Sequence, residues 1–174
     1  MHKDLATGPM QDSIINGRYK VIRELGKGGM GRVYLVEDLH RDHQCLALKT
    51  LLVDKASSRS MDRFSIEFAG LSRLRHPNIA AACDLGQVGG TSNYFFTTEF
   101  VDGIDLFRGT VNASTSQILD LLAQTLRGLE FIHSNGYLHN DLKPSNILLQ
   151  LLPKSTRQAR STSPVVVESP IGRV

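Results

Sequence analysis

This sequence is poor in cysteine, lacks tryptophan and has no long apolar run. It contains two cysteines, Cys45 and Cys83, and no tryptophan in 174 residues. So few cysteines do not make a disulfide framework, and we interpret them as free thiols in a reducing compartment. No apolar run approaches the ~20 residues that a membrane-spanning helix needs, and the first ten residues lack the apolar core of a secretory signal. The sequence therefore predicts a cytoplasmic protein without a membrane segment.

Basic and acidic side chains also balance each other everywhere but in the last residues of the chain. Of the 20 basic residues four lie after residue 150, and of the 17 acidic residues only Glu168 does. The first 150 residues are therefore electrically balanced, and the formal net charge of +3 belongs to the end of the chain. A nucleic-acid-binding face would need a basic surface on the folded part. The charge pattern thus predicts no nucleic-acid partner.

Apolar periodicity divides most of the chain into strands and two long helices. Short or alternating apolar runs predict strands, and apolar positions spaced three and four residues apart predict helices. In chain order we expect strands near 19–25, 33–36 and 45–52, a helix over 61–75, strands at 85–88 and 94–100, a helix over 118–132 and a strand at 147–152. This order indicates an α+β fold.

The two ends of the chain differ in composition from the middle. Residues 1–17 are polar and mixed, and we expect a flexible leader. Residues 153–174 contain three of the six prolines and many serines and threonines, with little that could pack in a core. Such a composition is typical of disordered segments. We therefore expect residues 153–174 to be a disordered insert or tail.

A glycine-rich stretch, GKGGMG at residues 26–31, lies between the first two predicted strands. Glycines at this spacing let backbone N–H groups approach phosphate oxygens, because no Cβ stands in the way. Dinucleotide-binding folds have the same spacing, but there it joins a strand to a helix. We therefore predict a phosphate-binding hairpin, and a glycine-rich turn without function is the alternative.

A lysine and a glutamate form the second signal. Lys49 and Ala47 point to the same face of the third predicted strand, because side chains alternate along a strand. Glu67 lies between Phe64 and Leu71 on the apolar face of the first predicted helix. An inward-pointing charge needs a partner of opposite sign. Lys49 and Glu67 can satisfy each other, and two unrelated surface residues are the alternative.

The third signal is the polar loop HNDLKPSN at residues 139–146. It holds Asp141, then Lys143 two residues later and Asn146 five residues later, ahead of an apolar strand. This spacing suits a carboxylate that orients a hydroxyl nucleophile, a cation near a transferred phosphate and an amide oxygen on Mg²⁺. A polar turn without function is the alternative for the loop alone.

Together these motifs resemble those of the protein kinase domain, of the eukaryotic type that also occurs in bacteria, over about residues 18–150. The resemblance implies that Asp141 is the catalytic base, that Lys143 also takes part in catalysis and that Asn146 is a magnesium ligand. It implies ATP-binding roles for Gly26, Lys27, Gly28, Gly31, Val33, Ala47, Lys49, Glu67, Thr98, Glu99, Val101 and Asp105.

Within that set the resemblance implies particular contacts. Lys49 would anchor ATP and pair with Glu67, and Val33 and Ala47 would face adenine. Thr98 falls at the gatekeeper position, residues 99–101 at the hinge whose backbone bonds adenine, and Asp105 near the ribose. Lys143 followed by proline resembles the Ser/Thr-specific pattern rather than the tyrosine-specific one.

The resemblance also implies the architecture and the domain boundaries. We expect an N-lobe of antiparallel sheet plus one helix over about 18–98, a hinge at 99–105 and the first part of a helical C-lobe at 106–152. The partial kinase domain then spans 18–152, between the leader and the tail.

Two departures from the family pattern affect the expected activity. Asn140 stands where the family usually has an arginine that pairs with a phosphorylated activation loop, and asparagine cannot make that charged bidentate contact. The 174 residues also contain no Asp-Phe-Gly, whose aspartate is the second metal ligand, and Glu168 is a poor substitute in a Ser/Pro-rich stretch. We expect a chain that stops short of Asp-Phe-Gly, with 153–171 as an insert. A frameshift after about Leu149 is the alternative.

The function implied by the resemblance is an ATP- and Mg²⁺-dependent Ser/Thr protein kinase, present as an N-terminal fragment that acts on Ser/Thr hydroxyls of a protein substrate. We expect these 174 residues alone to transfer phosphate weakly or not at all. One alternative is a catalytically inactive nucleotide-binding or interaction fragment. A small-molecule kinase of the aminoglycoside-phosphotransferase type is a further alternative, which Lys143-Pro144 and His76-Pro77-Asn78 disfavour.

Overall fold

The computed structural model describes residues 11–28, 31–51, 68–69, 72–91, 93–150, 165–167 and 171–173. The chain forms two compact units. The described residues of unit 1 come from 11–51 and 82–100, and those of unit 2 from 68–81 and 101–173.

Unit 1 is built on a six-stranded antiparallel sheet in the order β1-β2-β3-β4-β6-β5. The strands are β1 (Ile14–Ile15), β2 (Tyr19–Gly28), β3 (Gly31–Asp38), β4 (Gln44–Leu51), β5 (Ala82–Gln87) and β6 (Tyr94–Glu99). Five of these six strands match strands expected from the apolar pattern. The glycine-rich stretch joins β2 to β3 as a hairpin, as the pattern predicted.

One face of this sheet carries the core of unit 1. The side chains alternate, so that every second residue of a strand points to this face. The rings of Tyr19 and Phe95 meet edge to face with their centroids 5.5 Å apart. The buried cluster consists of Ile15, Tyr19, Val21, Tyr34, Val36, Leu46, Leu48 and Phe95.

The sheet begins earlier in the chain than the sequence analysis expected. β1 pairs with β2, and Ile15 is only 6% exposed within the core cluster. Asn16 adds a second anchor, because its Nδ2 donates to the Gln87 carbonyl and its Oδ1 accepts from the Gly89 N–H, both at 2.8 Å. The expectation of a flexible leader over residues 1–17 is therefore wrong for its last residues, whereas residues 1–10 lie outside the described part.

Among its described residues, unit 2 contains a five-residue helix, a twenty-residue helix and two small antiparallel sheets, besides the helical Phe68 and Ala69. A three-stranded sheet has the order β10-β9-β7, and a two-stranded sheet pairs β11 with β8. The elements are β7 (Gly103–Asp105), α1 (Leu106–Thr110), α2 (Thr115–Ser134), β8 (Tyr137–His139), a 3₁₀ turn (Pro144–Asn146), β9 (Ile147–Gln150), β10 (Val165–Val167) and β11 (Ile171–Arg173).

The long helix α2 is the one that the apolar spacing predicted. It begins with a capping box, in which the Ser114 Oγ accepts from the Gln117 N–H at 3.3 Å and the Gln117 Oε1 accepts from the Ser114 N–H at 2.8 Å. Its buried face follows helical spacing and consists of Leu121, Thr125, Gly128 and Ile132. The spacing therefore identified the helix, but only part of its buried face, because Leu122 and Leu126 also follow the apolar spacing and are exposed.

Two strands lie in the segment that the composition assigned to a disordered insert or tail. Val167 of β10 pairs with Ile147 of β9 and is 1% exposed. Its N–H donates to the Asn78 carbonyl at 2.9 Å, and its carbonyl accepts from the Ala80 N–H at 3.2 Å. The expectation of disorder is therefore wrong for 165–167 and 171–173, because apolar burial and backbone hydrogen bonds hold the first of these strands in unit 2.

Other expectations fall partly outside the described residues. The helix expected over 61–75 is described only at Phe68 and Ala69, which are helical. Within the described ranges, no helix is long and apolar enough to cross a bilayer.

Candidate functional site

Four of the residues assigned to ATP lie on one face of the unit 1 sheet. The strand register pairs Val33 with Lys49, and it pairs Ala47 with Thr98. Directly paired residues point to the same side of a sheet, and every second residue along a strand does so as well. Val33, Ala47, Lys49 and Thr98 therefore share a face, which is opposite to the face that carries the core cluster.

The glycine-rich hairpin lies at the end of this sheet. Gly26 pairs with Val33, so that its backbone belongs to the same row as Lys49. An added Cβ at Gly26 would meet no atom within 4 Å, which leaves open space above its backbone. Gly28 pairs with Gly31, which has φ of 151°, a value that L side chains rarely adopt.

A brace on the opposite face holds the two strands of this hairpin. The Arg32 Nη1 donates to the Glu24 Oε2 at 2.9 Å, across the β2–β3 pair. The Thr50 Oγ1 accepts from the Arg32 N–H at 3.4 Å and donates to the Arg32 carbonyl at 3.2 Å. Lys27, the register partner of Arg32, is exposed. The brace therefore connects β2, β3 and β4 next to the glycines.

Lys49 is half-buried in the middle of the shared face. Its Nζ lies 5.7 Å from the centroid of the Phe96 ring, within the range of a cation–π contact. Glu67, the expected partner of Lys49, lies outside the described residues, and the same holds for Glu168.

The residues expected at the hinge and the ribose divide between the two units. Thr98 is half-buried and Glu99 exposed at the end of β6 in unit 1. Val101 belongs to unit 2, where it is 7% exposed and packs in a cluster with Ala80 and Val166. Asp105 caps helix α1, because its Oδ1 accepts from the Arg108 N–H at 2.9 Å. The structure thus adds a capping role at Asp105 that the sequence analysis did not include.

The polar loop brings Asp141, Lys143 and Asn146 into contact within unit 2. The Lys143 Nζ lies 2.5 Å from the Asp141 Oδ2. The Asn146 Nδ2 donates to the Asp141 Oδ2 at 3.1 Å and to the Asp141 carbonyl at 2.7 Å. The loop ends in the 3₁₀ turn Pro144–Asn146, whose first residue has φ preset by its ring. The three side chains therefore form one exposed cluster.

These contacts set the charge state of the Asp141 carboxylate. The hydrogen bond from Lys143 lowers the pKa of Asp141 below its usual value, and the hydrogen bond from Asn146 lowers it further. Asp141 is therefore ionised at neutral pH. Both side-chain bonds converge on Oδ2, so that among the described residues Oδ1 is the oxygen left for another donor.

The donor set of this cluster suits a hard divalent cation in combination with phosphate. The Asn146 amide uses its nitrogen toward Asp141, which leaves the amide oxygen as a ligand of the type that Mg²⁺ prefers. Mg²⁺ is commonly held by one or two protein oxygens together with substrate phosphates. Within the described part of the chain, no group of three His, Cys, Asp or Glu residues could hold a metal ion alone.

Comparison with known proteins identifies the family. The sequence profile of the protein kinase domain matches residues 19–156. This chain belongs to the protein kinase domain family. The serine/threonine-protein kinase PrkC of Bacillus subtilis is 36% identical over 139 residues, which cover 78% of this chain and 21% of the relative. The probable serine/threonine-protein kinase PknB of Lactococcus lactis is 31% identical over 140 residues, 78% of this chain and 22% of the relative.

The solved structures agree with the assignment. The kinase domain of Mycobacterium tuberculosis PknI has a TM-score of 0.70 and 28% identity, over 92% of this chain and 62% of that chain. The α+β kinase-like fold predicted from the motifs is thereby confirmed. The chain spans about a fifth of the length of the curated relatives that it matches.

Phe96 is a residue of this kinase fold that the sequence analysis did not connect with the candidate site. Its register partner is Lys49, 47 positions earlier in the chain. Only the pairing of β4 with β6 brings the two together. The available signal was the alternation of β6, which puts Phe96 on the same face as Thr98.

Proposed function

We propose that this chain carries the nucleotide-binding and phosphoryl-transfer elements of an ATP- and Mg²⁺-dependent Ser/Thr protein kinase. The substrates are ATP and a protein with a serine or threonine hydroxyl. The observation that carries the proposal is the cluster of Asp141, Lys143 and Asn146, in which the Asp141 residue contacts both the Lys143 ammonium group and the Asn146 amide within a six-residue loop.

Asp141 orients the hydroxyl nucleophile. Its Oδ1 accepts the hydroxyl hydrogen bond, while Oδ2 stays fixed by Lys143 and Asn146. The hydroxyl oxygen then bonds to the γ-phosphorus, the bond from that phosphorus to the β–γ bridging oxygen breaks, and ADP leaves. The hydroxyl proton goes to the Asp141 carboxylate. A carboxylate of lowered pKa is a weak base, and this suits a loose transition state in which orientation matters more than early proton removal.

Lys143 and Lys49 supply positive charge for the phosphates. Lys143 stabilises the negative charge of the transferred group, and a preorganised charge of this kind is worth about 10²–10³ in rate. Lys49 binds the α- and β-phosphates of ATP, and the backbone of the hairpin at Gly26 and Gly28 covers them. Val33 and Ala47 contact the adenine ring with apolar surface, and Thr98 lines the same face.

Asn146 would hold Mg²⁺ through its amide oxygen. Mg²⁺ held there would supply positive charge that offsets the charge of the nucleotide phosphates. Glu67 as the partner of Lys49, and Asp105 as a contact of the ribose, stay predictions.

The test uses the 174-residue chain with two readouts. Calorimetric titration with Mg·ATP measures binding, and phosphate transfer to a generic Ser/Thr-containing protein is followed with γ-labelled ATP. Lys49→Met should weaken binding at least tenfold. Asp141→Asn should leave binding within about twofold and abolish any transfer, because it removes only the carboxylate charge.

The control is Glu130→Gln, which changes an exposed acidic residue of helix α2 in the same unit that has no proposed role. Binding that depends on Lys49 without transfer that depends on Asp141 would favour the alternative of a nucleotide-binding chain without catalysis. Absence of Mg·ATP binding by the folded chain would contradict both functions.

A further inference from the structure

Phe95 and Phe96 are consecutive, almost fully buried phenylalanines that point to opposite faces of the unit 1 sheet. Phe95 is 2% exposed and lies in the core cluster, where its ring meets Tyr19. Phe96 is 4% exposed and lies on the other face, directly paired with Lys49. The two rings therefore have the same size and burial but different neighbours.

The Phe96 ring carries an electrostatic contact with the ammonium group of Lys49. The Lys49 Nζ lies 5.7 Å from the ring centroid, within the distance of about 6 Å at which the ring quadrupole attracts a cation. Lys49 is half-buried, so that water screens the contact less than it would at the surface. Val33 is the register partner of Lys49 on its other side. The lysine thus lies between an aliphatic and an aromatic neighbour in one cross-strand row.

This arrangement restricts where the ammonium group can be. A lysine side chain has four rotatable bonds and loses rotamer entropy when it is ordered. A contact that orders the side chain before the nucleotide arrives removes part of that cost from binding. The ring is buried and belongs to the central part of the sheet, so it provides a fixed surface for this purpose.

We propose that Phe96 is a positioning residue for Lys49, whose ring holds the ammonium group on the nucleotide-binding face before ATP binds. This inference rests on the proposed function, in which Lys49 binds the phosphates of ATP. Phe96 itself contacts neither the phosphates nor the reacting atoms in this role. The same proposal predicts that tyrosine, which keeps the ring, can replace Phe96, and that leucine, which keeps apolar volume without a ring, cannot.

The first experiment needs no nucleotide. Protons above an aromatic ring resonate upfield, so that the ε-methylene signal of Lys49 in ¹H–¹³C spectra of the full chain should be shifted upfield from the other lysines. Lys49→Arg assigns the signal by its loss. The shift should disappear in Phe96→Leu and persist in Phe96→Tyr and Phe95→Leu. An ordinary ε-methylene position for Lys49 in the unmodified chain would overturn the proposal, whether or not ATP binds.

The second experiment measures Mg·ATP affinity by calorimetry. Phe96→Leu should weaken binding about 3- to 10-fold, the range expected from the loss of one partly buried cation–π contact. Phe96→Tyr should stay within twofold. Phe95→Leu is the matched control, because it removes an equally buried ring from the other face, and it should leave the affinity unchanged while it lowers the melting temperature about as much.

A double-mutant cycle separates positioning from general support of the sheet. If Phe96 acts through Lys49, Phe96→Leu should have no further effect on affinity in the Lys49→Met background. Equal losses in both backgrounds, or equal losses for Phe95→Leu and Phe96→Leu, would refute the positioning role. If the unmodified chain bound no Mg·ATP, the proposed function would fail, whereas the nuclear magnetic resonance experiment would still decide whether the ring holds the lysine.

Discussion

Arg18 of unit 1 makes hydrogen bonds whose loss should cost much stability. Its Nε and Nη2 donate to the two carboxylate oxygens of Asp38 at 2.8 Å each, and its Nη1 donates to the Asp84 Oδ2 at 2.6 Å. The Tyr19 hydroxyl donates to the same Asp84 oxygen at 2.9 Å. The Asp38 side chain is fully buried, and Arg18 provides the two short charged hydrogen bonds that compensate the burial of its charge.

We expect Arg18→Met to lower the free energy of unfolding by about 3 kcal/mol. Removal of one partner from a buried ion pair typically costs 3–5 kcal/mol, because the other charge stays buried without compensation. We expect a loss near the lower limit of this range, since the Arg18 side chain is 21% exposed and the His40 N–H still donates to Asp38. For a chain of this size the loss corresponds to a decrease in melting temperature of about 6–12 °C.

Urea denaturation followed by circular dichroism measures this loss, and Arg41→Met is the control. Arg41 lies 3.9 Å from the same carboxylate but is 50% exposed, and a surface ion pair is worth only about 0–1 kcal/mol. If Arg18→Met cost no more than Arg41→Met, the bidentate pair with Asp38 would not be the source of the stability, and the reasoning would be refuted.

The pH dependence gives an independent check with a definite sign. Hydrogen bonding to Arg18 lowers the pKa of Asp38 in the folded chain below the ~3.9 of the unfolded chain. A lowered pKa stabilises the fold above the unfolded value, and this contribution is lost as the pH falls through the folded value. The contribution of Asp38 to the stability of the unmodified chain should therefore be full at pH 6–7 and decrease below about pH 4, which urea denaturation over this pH range measures.

Three further predictions concern other parts of the chain. Lys143→Met should raise the pKa of Asp141 toward its ordinary value, because the largest cause of its lowering is removed, and carboxylate titration by nuclear magnetic resonance measures this change. An unchanged titration would mean that the two groups do not interact in solution. Asn16→Ala should cost about 1–2 kcal/mol, since two hydrogen bonds are lost, and should accelerate amide exchange at Gly89; unaltered exchange would contradict the anchor. Val167→Ala should cost about 1–3 kcal/mol in urea denaturation because the side chain is almost completely buried, and a change below 0.5 kcal/mol would contradict the packing of β10.

The parts of the fold that were predictable from the sequence are those with local signals. Helix α2 combines apolar positions at helical spacing with Ser114 and Gln117 at its start, and both features lie within one stretch of chain. The glycine-rich hairpin and the loop that contains Asp141 and Asn146 are likewise defined by spacings of a few residues. In such cases the residues that determine the structure are close together in the sequence.

Other features depend on register between distant strands, which no short pattern contains. Arg18 bonds to Asp38 and Asp84, which lie 20 and 66 positions later in the sequence. Lys49 contacts Phe96, which lies 47 positions later. The short strands β7, β8 and β11 have three residues each, too few for a periodicity to be detected. Their existence depends on the pairing partner, because an isolated three-residue strand has no stability of its own.

The strand β10 illustrates why average composition is a weak guide to burial. Prolines, serines and threonines make up nine of the 22 residues at 153–174, and this composition predicted disorder for the whole segment, although three consecutive valines lie in its middle. A segment is ordered when a few residues bury enough apolar surface and satisfy their backbone groups, whatever the composition on either side. Val166 and Val167 meet both conditions, through burial and through the pairing with β9. That pairing extends to Ile147, the residue directly after Asn146. The strand β10 therefore pairs with the strand that directly follows the loop of Asp141 and Asn146.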